Sequence, residues 1–342
     1  MNVLQARRIV DDLRGARAGE YFRDVGSSVL VGWLLLAVAS GSWPALLRFS
    51  LVIVAAVFFY RALGFIHELF HQQELTRFRL FWHVVVGVPL LLPLLLYLPI
   101  HQAHHNAHAY GTDRDGEYEQ FKGRLAGMTL RLLGLNLLLP LALLVRFAVL
   151  TPLGAVVPFV RREVIPAFVH LSLRMPFKAP EMRGAAAAEA KWVEVACMLW
   201  AWVLLVGLFT GYHALVGLWA LLLVAVATLN TVRALCSTHL YVEQPQGRDT
   251  LGQLADSLNI GGNNLLTKLL CPVGLQYHAL HHLAPYLPYH ALPEAHRRLM
   301  EQLPADSLYH RVTVPNLYQG WRRLVQATDA RAEPSGSGVT PS

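Results

Sequence analysis

Two pairs of apolar runs limit what this chain can fold into. Residues 25–40 and roughly 43–66 are parted only by Gly41-Ser42, and residues 192–209 and 212–232 only by Thr210-Gly211. A membrane-crossing helix needs about 20 apolar residues, so the first run is short for a span. In lipid, a backbone must satisfy its own N–H and C=O groups, which leaves helices for runs of this kind. A minimal turn between two such helices predicts a hairpin, and two hairpins predict about four transmembrane helices. The charge content agrees, since only 15% of the 342 residues are charged against about 25% in soluble domains.

The formal net charge of +7 does not point to nucleic acid. The arginines flank apolar runs, as cytoplasmic loops do beside an anionic leaflet. Residues 1–24 carry Arg7, Arg8, Arg14, Arg17 and Arg23 with no apolar signal-peptide core, and read as a cytoplasmic amphipathic arm. The three cysteines (Cys197, Cys236, Cys271) form no CxxC pair and are odd in number, which argues for a reducing compartment. Residues 329–342 are small and polar and read as a disordered tail, leaving residues 25–328 as one membrane domain.

Three histidine clusters sit at the edges of apolar sequence: His67-Glu68-Leu69-Phe70-His71, His101-Gln102-Ala103-His104-His105 and His278-Ala279-Leu280-His281-His282. Residues three and four apart share a helix face. His67 and His71 can therefore aim together, as can His101 with His104 and His105, and His278 with His281 and His282. Neutral imidazole is a common ligand for iron, copper and zinc. Eight imidazoles exceed what one metal with open positions can use, and suit two. The first cluster also matches HExxH, in which an intramembrane zinc protease would use His67 and His71 as ligands and Glu68 as base. That reading leaves the other two clusters without a role. A metal transporter would spread ionisable groups through the membrane depth, whereas these collect on one side.

The clusters constrain topology in turn. Residues 84–100 are apolar, hold Pro89, Pro93 and Pro99, and connect the first cluster to the second. A single crossing would part the clusters, so a re-entrant or interfacial segment is expected. Residues 125–160 are interrupted by Arg131, Asn136, Pro140, Arg146, Pro152 and Pro158 and read as an interfacial helix. Residues 161–191 are basic and read as a cytoplasmic loop. The expected fold is all-α and integral to the membrane: two hairpins, re-entrant or interfacial helices, and a His-rich cytoplasmic cap.

From about Ala62 to Leu299 the chain resembles the membrane fatty acid desaturase/hydroxylase superfamily, with its three histidine boxes. The most specific stretch is His281-His282-Leu283-Ala284-Pro285, followed by Leu287-Pro288-Tyr289 and Leu292-Pro293-Glu294-Ala295-His296. It is similar to the HHLFPxxPxxxLPxAH stretch of bacterial desaturases. The second box continues through Gly111-Thr112 to Asp115, with Gly116 where the family often has proline. Thr238-His239-Leu240-Tyr241 resembles a segment whose histidine is a further ligand; Leu235 stands where some members have asparagine.

The resemblance implies a non-haem di-iron centre on His67, His71, His101, His104, His105, His239, His278, His281 and His282, with dioxygen as co-substrate. His108, Glu68, Asp115, Asp256 and Asn259 are implied as groups supporting those ligands, with Asn263 a further candidate. Glu117 is a further candidate acceptor for a ligand N–H, with a solvated carboxylate the favoured reading. Gly64 and Gly87 could line a dry channel. The implied activity is desaturation of a fatty acyl chain or other lipid. The alternative is a hydroxylase or ketolase acting on lipids, alkanes or carotenoids. No haem-binding segment or iron–sulfur cysteine set is visible, so electrons would come from a ferredoxin, rubredoxin or cytochrome, drawn by the basic surface. The implied setting is a bacterial inner membrane, with the boxes facing the cytoplasm.

Overall fold

The computed structural model of the chain describes residues 1–119, 121, 123–173, 184–242 and 246–332. Helix α1 (Val3–Ile9) is capped by Asn2, whose Oδ1 accepts from the Leu4 amide at 2.9 Å. Helices α2 (Ala18–Ala39) and α3 (Ala45–His71) form the first hairpin. The two approach closely where a Cβ at Gly32 would meet the Phe59 ring at 2.7 Å.

The run after the first box is not one helix. Helix α4 (Thr76–Trp82) continues through a π-helical turn (His83–Gly87), and the chain then breaks before α5 (Leu94–His104). At the break, Leu91 takes a left-handed φ of 55°. The backbone freed at the break is satisfied from two other helices: the indole N–H groups of Trp200 and Trp219 both donate to the half-buried Pro89 carbonyl, at 3.0 and 2.9 Å. Donors from neighbouring helices are what let a helix break of this kind persist. The chain turns there and comes back, so that His71 and His101 end beside each other.

A short helix α6 (Gly116–Glu119) precedes α7 (Leu125–Leu144), which runs through a π-helical turn (Val145–Leu150) into α8 (Thr151–Val156). The stretch Leu125–Val156 is, by length and composition, long and apolar enough to cross a membrane, where the sequence suggested an interfacial helix. The polar residues that seemed to interrupt it find partners inside the protein. Asn136 Nδ2 donates to Thr231 Oγ1 at 3.0 Å, and Arg146 pairs with Glu194 at 2.7 Å. Pro140 sits within α7, and Pro152 follows directly on the π-helical turn at the start of α8.

A π-helical turn (Val160–Val164) leads into α9 (Ile165–Leu173), so this part of the expected loop is helical, and α10 (Gly184–Phe209) already includes residues 184–191. Arg174, Lys178 and Arg183 of that loop lie outside the described residues. With α11 (His213–Ser237), α10 makes the second hairpin. Among the described residues five helices, not four, are long and apolar enough to cross a membrane. They leave large side chains such as Leu46, Leu130, Leu137 and Phe209 exposed, a surface suited to lipid rather than water.

The cap follows α11. It comprises α12 (Thr250–Asp256), strand β1 (Asn259–Ile260), α13 (Leu265–Leu270), α14 (His278–Leu283), α15 (Leu292–Gln302), α16 (Leu308–Arg311), strand β2 (Thr313–Val314) and α17 (Leu317–Ala332). β1 and β2 pair in parallel, Asn259 opposite Thr313. The amphipathic arm is part of the cap's core: Ala6 is buried with Leu280, Leu283 and Leu299, and Arg298 pairs with Asp12 at 2.7 Å. Residues 329–332, read as the start of a tail, continue α17, and the rest of that tail lies outside the described residues.

Candidate metal centre

Each box is delivered by the end of an element. His67 and His71 occupy the last turns of α3. His101 and His104 occupy the last turn of α5, with His105 as its cap. The third box is α14 itself, whose six residues are all buried. α14 is held by the Asn259 Oδ1, which accepts from the Leu280 amide at 3.0 Å, and by the Arg7 Nε, which donates to the Leu283 carbonyl at 2.7 Å. His239 follows the end of α11 and is bridged to Ser257. Left-handed backbone at Tyr241 and Val273 lies in the segments just after His239 and before α14, as strain often does beside functional sites.

All nine histidines come together, in two groups. His67, His71, His101, His105 and His281 each place one ring nitrogen within 4.8 Å of the others, and His104, His239, His278 and His282 do the same. The sequence expectation put the three histidines of each HxxHH box on one arc. The structure divides them. The i and i+4 members stay together (His101 with His105, His278 with His282), and the i+3 member joins the other group. Successive residues are about 100° apart around a helix, so His104 and His105 face different centres.

Within the groups the Nε2 atoms converge. His71 and His101 are 2.9 Å apart, His105 and His281 3.0 Å, His239 and His278 2.7 Å, and His104 and His282 3.2 Å. Four of the Nδ1 atoms face outward to fixed partners, whereas the buried His278 Nδ1 has none. His101 Nδ1 meets Glu117 Oε1 at 3.0 Å and the Tyr97 hydroxyl at 2.9 Å. His104 Nδ1 meets Asp115 Oδ2 at 2.9 Å. His239 Nδ1 meets the Tyr110 hydroxyl at 3.0 Å and Ser257 Oγ at 3.1 Å. His282 Nδ1 meets Gln253 Oε1 at 3.1 Å. Outer partners of this kind set the tautomer and leave the inner nitrogen's lone pair for a metal. The buried Nε2 of His67 has no hydrogen-bond partner at all, an orphan that a cation would satisfy.

Electrostatics suit a cation as well. Burial holds the imidazoles of His101, His105, His239, His278, His281 and His282 well below the usual histidine range, hence neutral and able to donate a lone pair. His104 is the exception. Burial opposes its charge, but the carboxylates of Glu117 and Asp115 outweigh burial and hold it up to about 9. That position favours positive charge. The donor set, nine nitrogens in groups of five and four, fits two transition-metal ions.

The supporting residues divide. Asp115 touches His104 and is itself fixed by the Gly111 amide at 2.9 Å and the Glu117 amide at 3.0 Å. Asp256 lies 3.9 Å from His239 Nδ1 and acts through others: it accepts from Tyr118 and Tyr110 and pairs with Arg248. Asn259 positions α14 and touches no imidazole. His108 is exposed and belongs to neither group. Glu68 is buried but accepts from the Tyr21 hydroxyl at 2.6 Å and the Tyr289 amide at 2.9 Å, not from an imidazole. Glu117, read as solvated, is half-buried against His101. Sequence reasoning also missed Tyr97, Tyr110, Gln253 and Ser257. Gln253 and Ser257 carry one faint signal, a spacing of four that puts both on one face of the turn leading to Asp256.

A cavity of about 320 Å³ opens against the centre, within the roughly 300–1,000 Å³ of small-molecule sites. His67 and His278 of the two groups line it, with Gly64, Leu96, Ile100, Leu132, Leu139 and Leu275 among its other walls. Gly64 lines it as expected. Gly87 does not, being packed on Trp82 and His83.

Residues 41–313 match the Fatty acid desaturase family. The chain is 37% identical to the Ceramide hydroxylase of Caulobacter vibrioides (strain NA1000 / CB15N) over 347 residues, covering 97% of this chain and 96% of that protein. No solved structure matches the chain.

Proposed function

The chain belongs to the fatty acid desaturase family, and on that premise we propose that it is a membrane-embedded di-iron hydroxylase that inserts oxygen into a C–H bond of a ceramide-type lipid. Two groups of imidazoles meeting at the wall of a mostly apolar cavity carry the oxidase reading. The relative named Ceramide hydroxylase favours hydroxylation over the desaturation that leads the sequence reading.

In this reading, the nine histidines hold two irons, which supply dioxygen activation and C–H oxidation. The chain does the rest. Asp115, Glu117, Gln253, Ser257 and Tyr110 keep the imidazoles oriented by their Nδ1 hydrogen bonds. The apolar walls exclude water and align the lipid with His67 and His278. The reaction balances as one C–H, dioxygen, two electrons and two protons giving one C–OH and water. The electrons come from a separate ferredoxin, rubredoxin or cytochrome. The boxes face the cytoplasm of a bacterial inner membrane, where such a carrier can reach them.

The test is lipid mass spectrometry on cells expressing the protein with an electron donor, against a His281→Ala control. Oxygen-dependent ceramides carrying one extra oxygen atom are expected. Lipids that have only lost two hydrogens would replace hydroxylation by desaturation, and stoichiometric zinc without iron would remove the di-iron reading.

A further inference from the structure

The cavity walls are mostly apolar, with Glu117 and Tyr97 beside the imidazoles and a separate polar band on α7 and α11. Asn136 on α7 and Asn230, Thr231 and Arg233 on α11 interrupt its wall. An arginine near the end of a span usually reaches for the interface, but this one lines the cavity. Its Nε and Nη2 atoms donate to Asn230 Oδ1 at 3.3 and 3.1 Å. Among the described residues no carboxylate pairs with Arg233, whereas Arg146 and Arg61 each have one, in Glu194 and Asp24. A guanidinium carries five N–H donors; two go to Asn230 and one reaches the Tyr60 hydroxyl, so Arg233 has two left for a ligand. Asn136 spends its Nδ2 on Thr231 Oγ1 at 3.0 Å, leaving its own carbonyl oxygen as an acceptor and the Thr231 proton as a donor. Ionisable groups in a membrane-embedded cavity mark ligand paths.

Resting on the hydroxylase reading, we infer that Arg233, Asn230, Asn136 and Thr231 form the subsite that reads the polar end of the substrate, a neutral head carrying an amide and hydroxyl groups. Arg233 donates to the amide carbonyl oxygen. The Asn136 carbonyl accepts from the amide N–H or a hydroxyl. An all-hydrocarbon substrate would leave this band desolvated without partners, and is selected against. Holding the head at the band fixes the register of the chain, and so which carbon meets the imidazoles. These are positioning residues; none is a metal ligand.

The experiment compares wild type with Arg233→Met, Arg233→Lys and Asn136→Leu, using ceramide and the free fatty acid of matching chain length as probes. It reads KM, kcat, the position of the new hydroxyl and iron per chain. A hydrogen bond to a charged group sets the scale, so Arg233→Met should raise KM for ceramide about ten- to hundredfold. It should also spread the hydroxyl over more than one carbon, with iron content unchanged. Arg233→Lys should recover part of the KM, because the charge stays and the fork is lost. Asn136→Leu lies on a different helix and keeps the test open should α11 variants fail to fold. An unchanged KM and a single product position in both Arg233→Met and Asn136→Leu would overturn the subsite while leaving ceramide hydroxylation intact. A wild type that oxygenates the free acid but not ceramide would overturn the hydroxylase reading itself.

Discussion

His104 Nδ1 lies 2.9 Å from Asp115 Oδ2, and both side chains are fully buried. The carboxylate is held in turn by the Gly111 and Glu117 amides. Gly111 sits at a φ of +72°, where a side chain would be strained. The pair therefore fixes the His104 ring rather than answering to it. Asp115→Ala should weaken metal binding at the four-histidine group by about 10- to 100-fold, the usual effect of removing such a partner. Asp115→Asn should fall between, since an amide oxygen accepts the same hydrogen bond without the charge. Iron content against free metal concentration checks this.

Adjacent residues should behave differently at the centre. His104 is one of four nitrogens in its group, and His105 one of five in the other. His104→Ala leaves three ligands and should take iron from two per chain toward one. His105→Ala leaves four and should keep more of the second iron, although both lose activity. Elemental analysis of the purified variants decides it. Equal loss would mean that the two groups do not bind independently.

The boxes and hairpins were legible because they are local: spacing on a helix and continuous apolar sequence need no knowledge of the fold. The break within residues 84–100 was legible only indirectly, through the need for His71 and His101 to meet. The length of the helix Leu125–Val156 is hidden in the sequence because its polar residues look like interruptions until Thr231 and Glu194 are seen to satisfy them. The outer partners were mostly invisible for the same reason. Tyr110 reaches His239 across 129 positions, and nothing in the sequence around Tyr110 announces it. Glu117 looked like any charged residue beside a glycine because its burial is created by elements far along the chain.

The Pro89 carbonyl has two donors, Trp200 and Trp219. Losing either leaves one, so Trp200→Phe or Trp219→Phe alone should cost little beyond the lost bond. The double variant leaves a half-buried carbonyl without a protein donor at the break, a penalty of about 1 kcal/mol. Thermal unfolding in detergent should show a double-variant loss larger than the sum of the singles. Additive losses would mean that other groups satisfy the carbonyl.

Stability should also depend on His296. Burial, with a contribution from His310, pulls its pKa from about 6.5 down to about 4. The folded state thus binds this proton less readily than the unfolded chain. The resulting stability is fully present above about pH 6.5 and is lost as pH falls toward about 4. The Tyr309 hydroxyl sits 2.7 Å from His296 Nδ1, so a non-titrating Asn can keep a hydrogen bond there. The melting temperature of wild type should fall between pH 7 and pH 5 more steeply than that of His296→Asn. Parallel curves would assign the acid sensitivity to other groups.

Glu68 offers a sharper contrast, because its neighbours in sequence are His67 and His71. As the base of an HExxH protease it would face the metal. Instead its carboxylate ties α3 to α2 through the Tyr21 hydroxyl, and to the segment after α14 through the Tyr289 amide. Both bonds end on Oε2, so Glu68→Gln keeps an amide oxygen that can accept them as a weaker acceptor, a loss of about 1 kcal/mol. Iron content and lipid oxidation should persist, with a lower melting temperature. Iron or oxygenase activity lost at unchanged stability would place Glu68 in the centre after all. Glu68→Ala should be worse than Glu68→Gln, because it strands the buried Tyr21 hydroxyl and the Tyr289 amide together, on the two elements that bracket the first and third boxes.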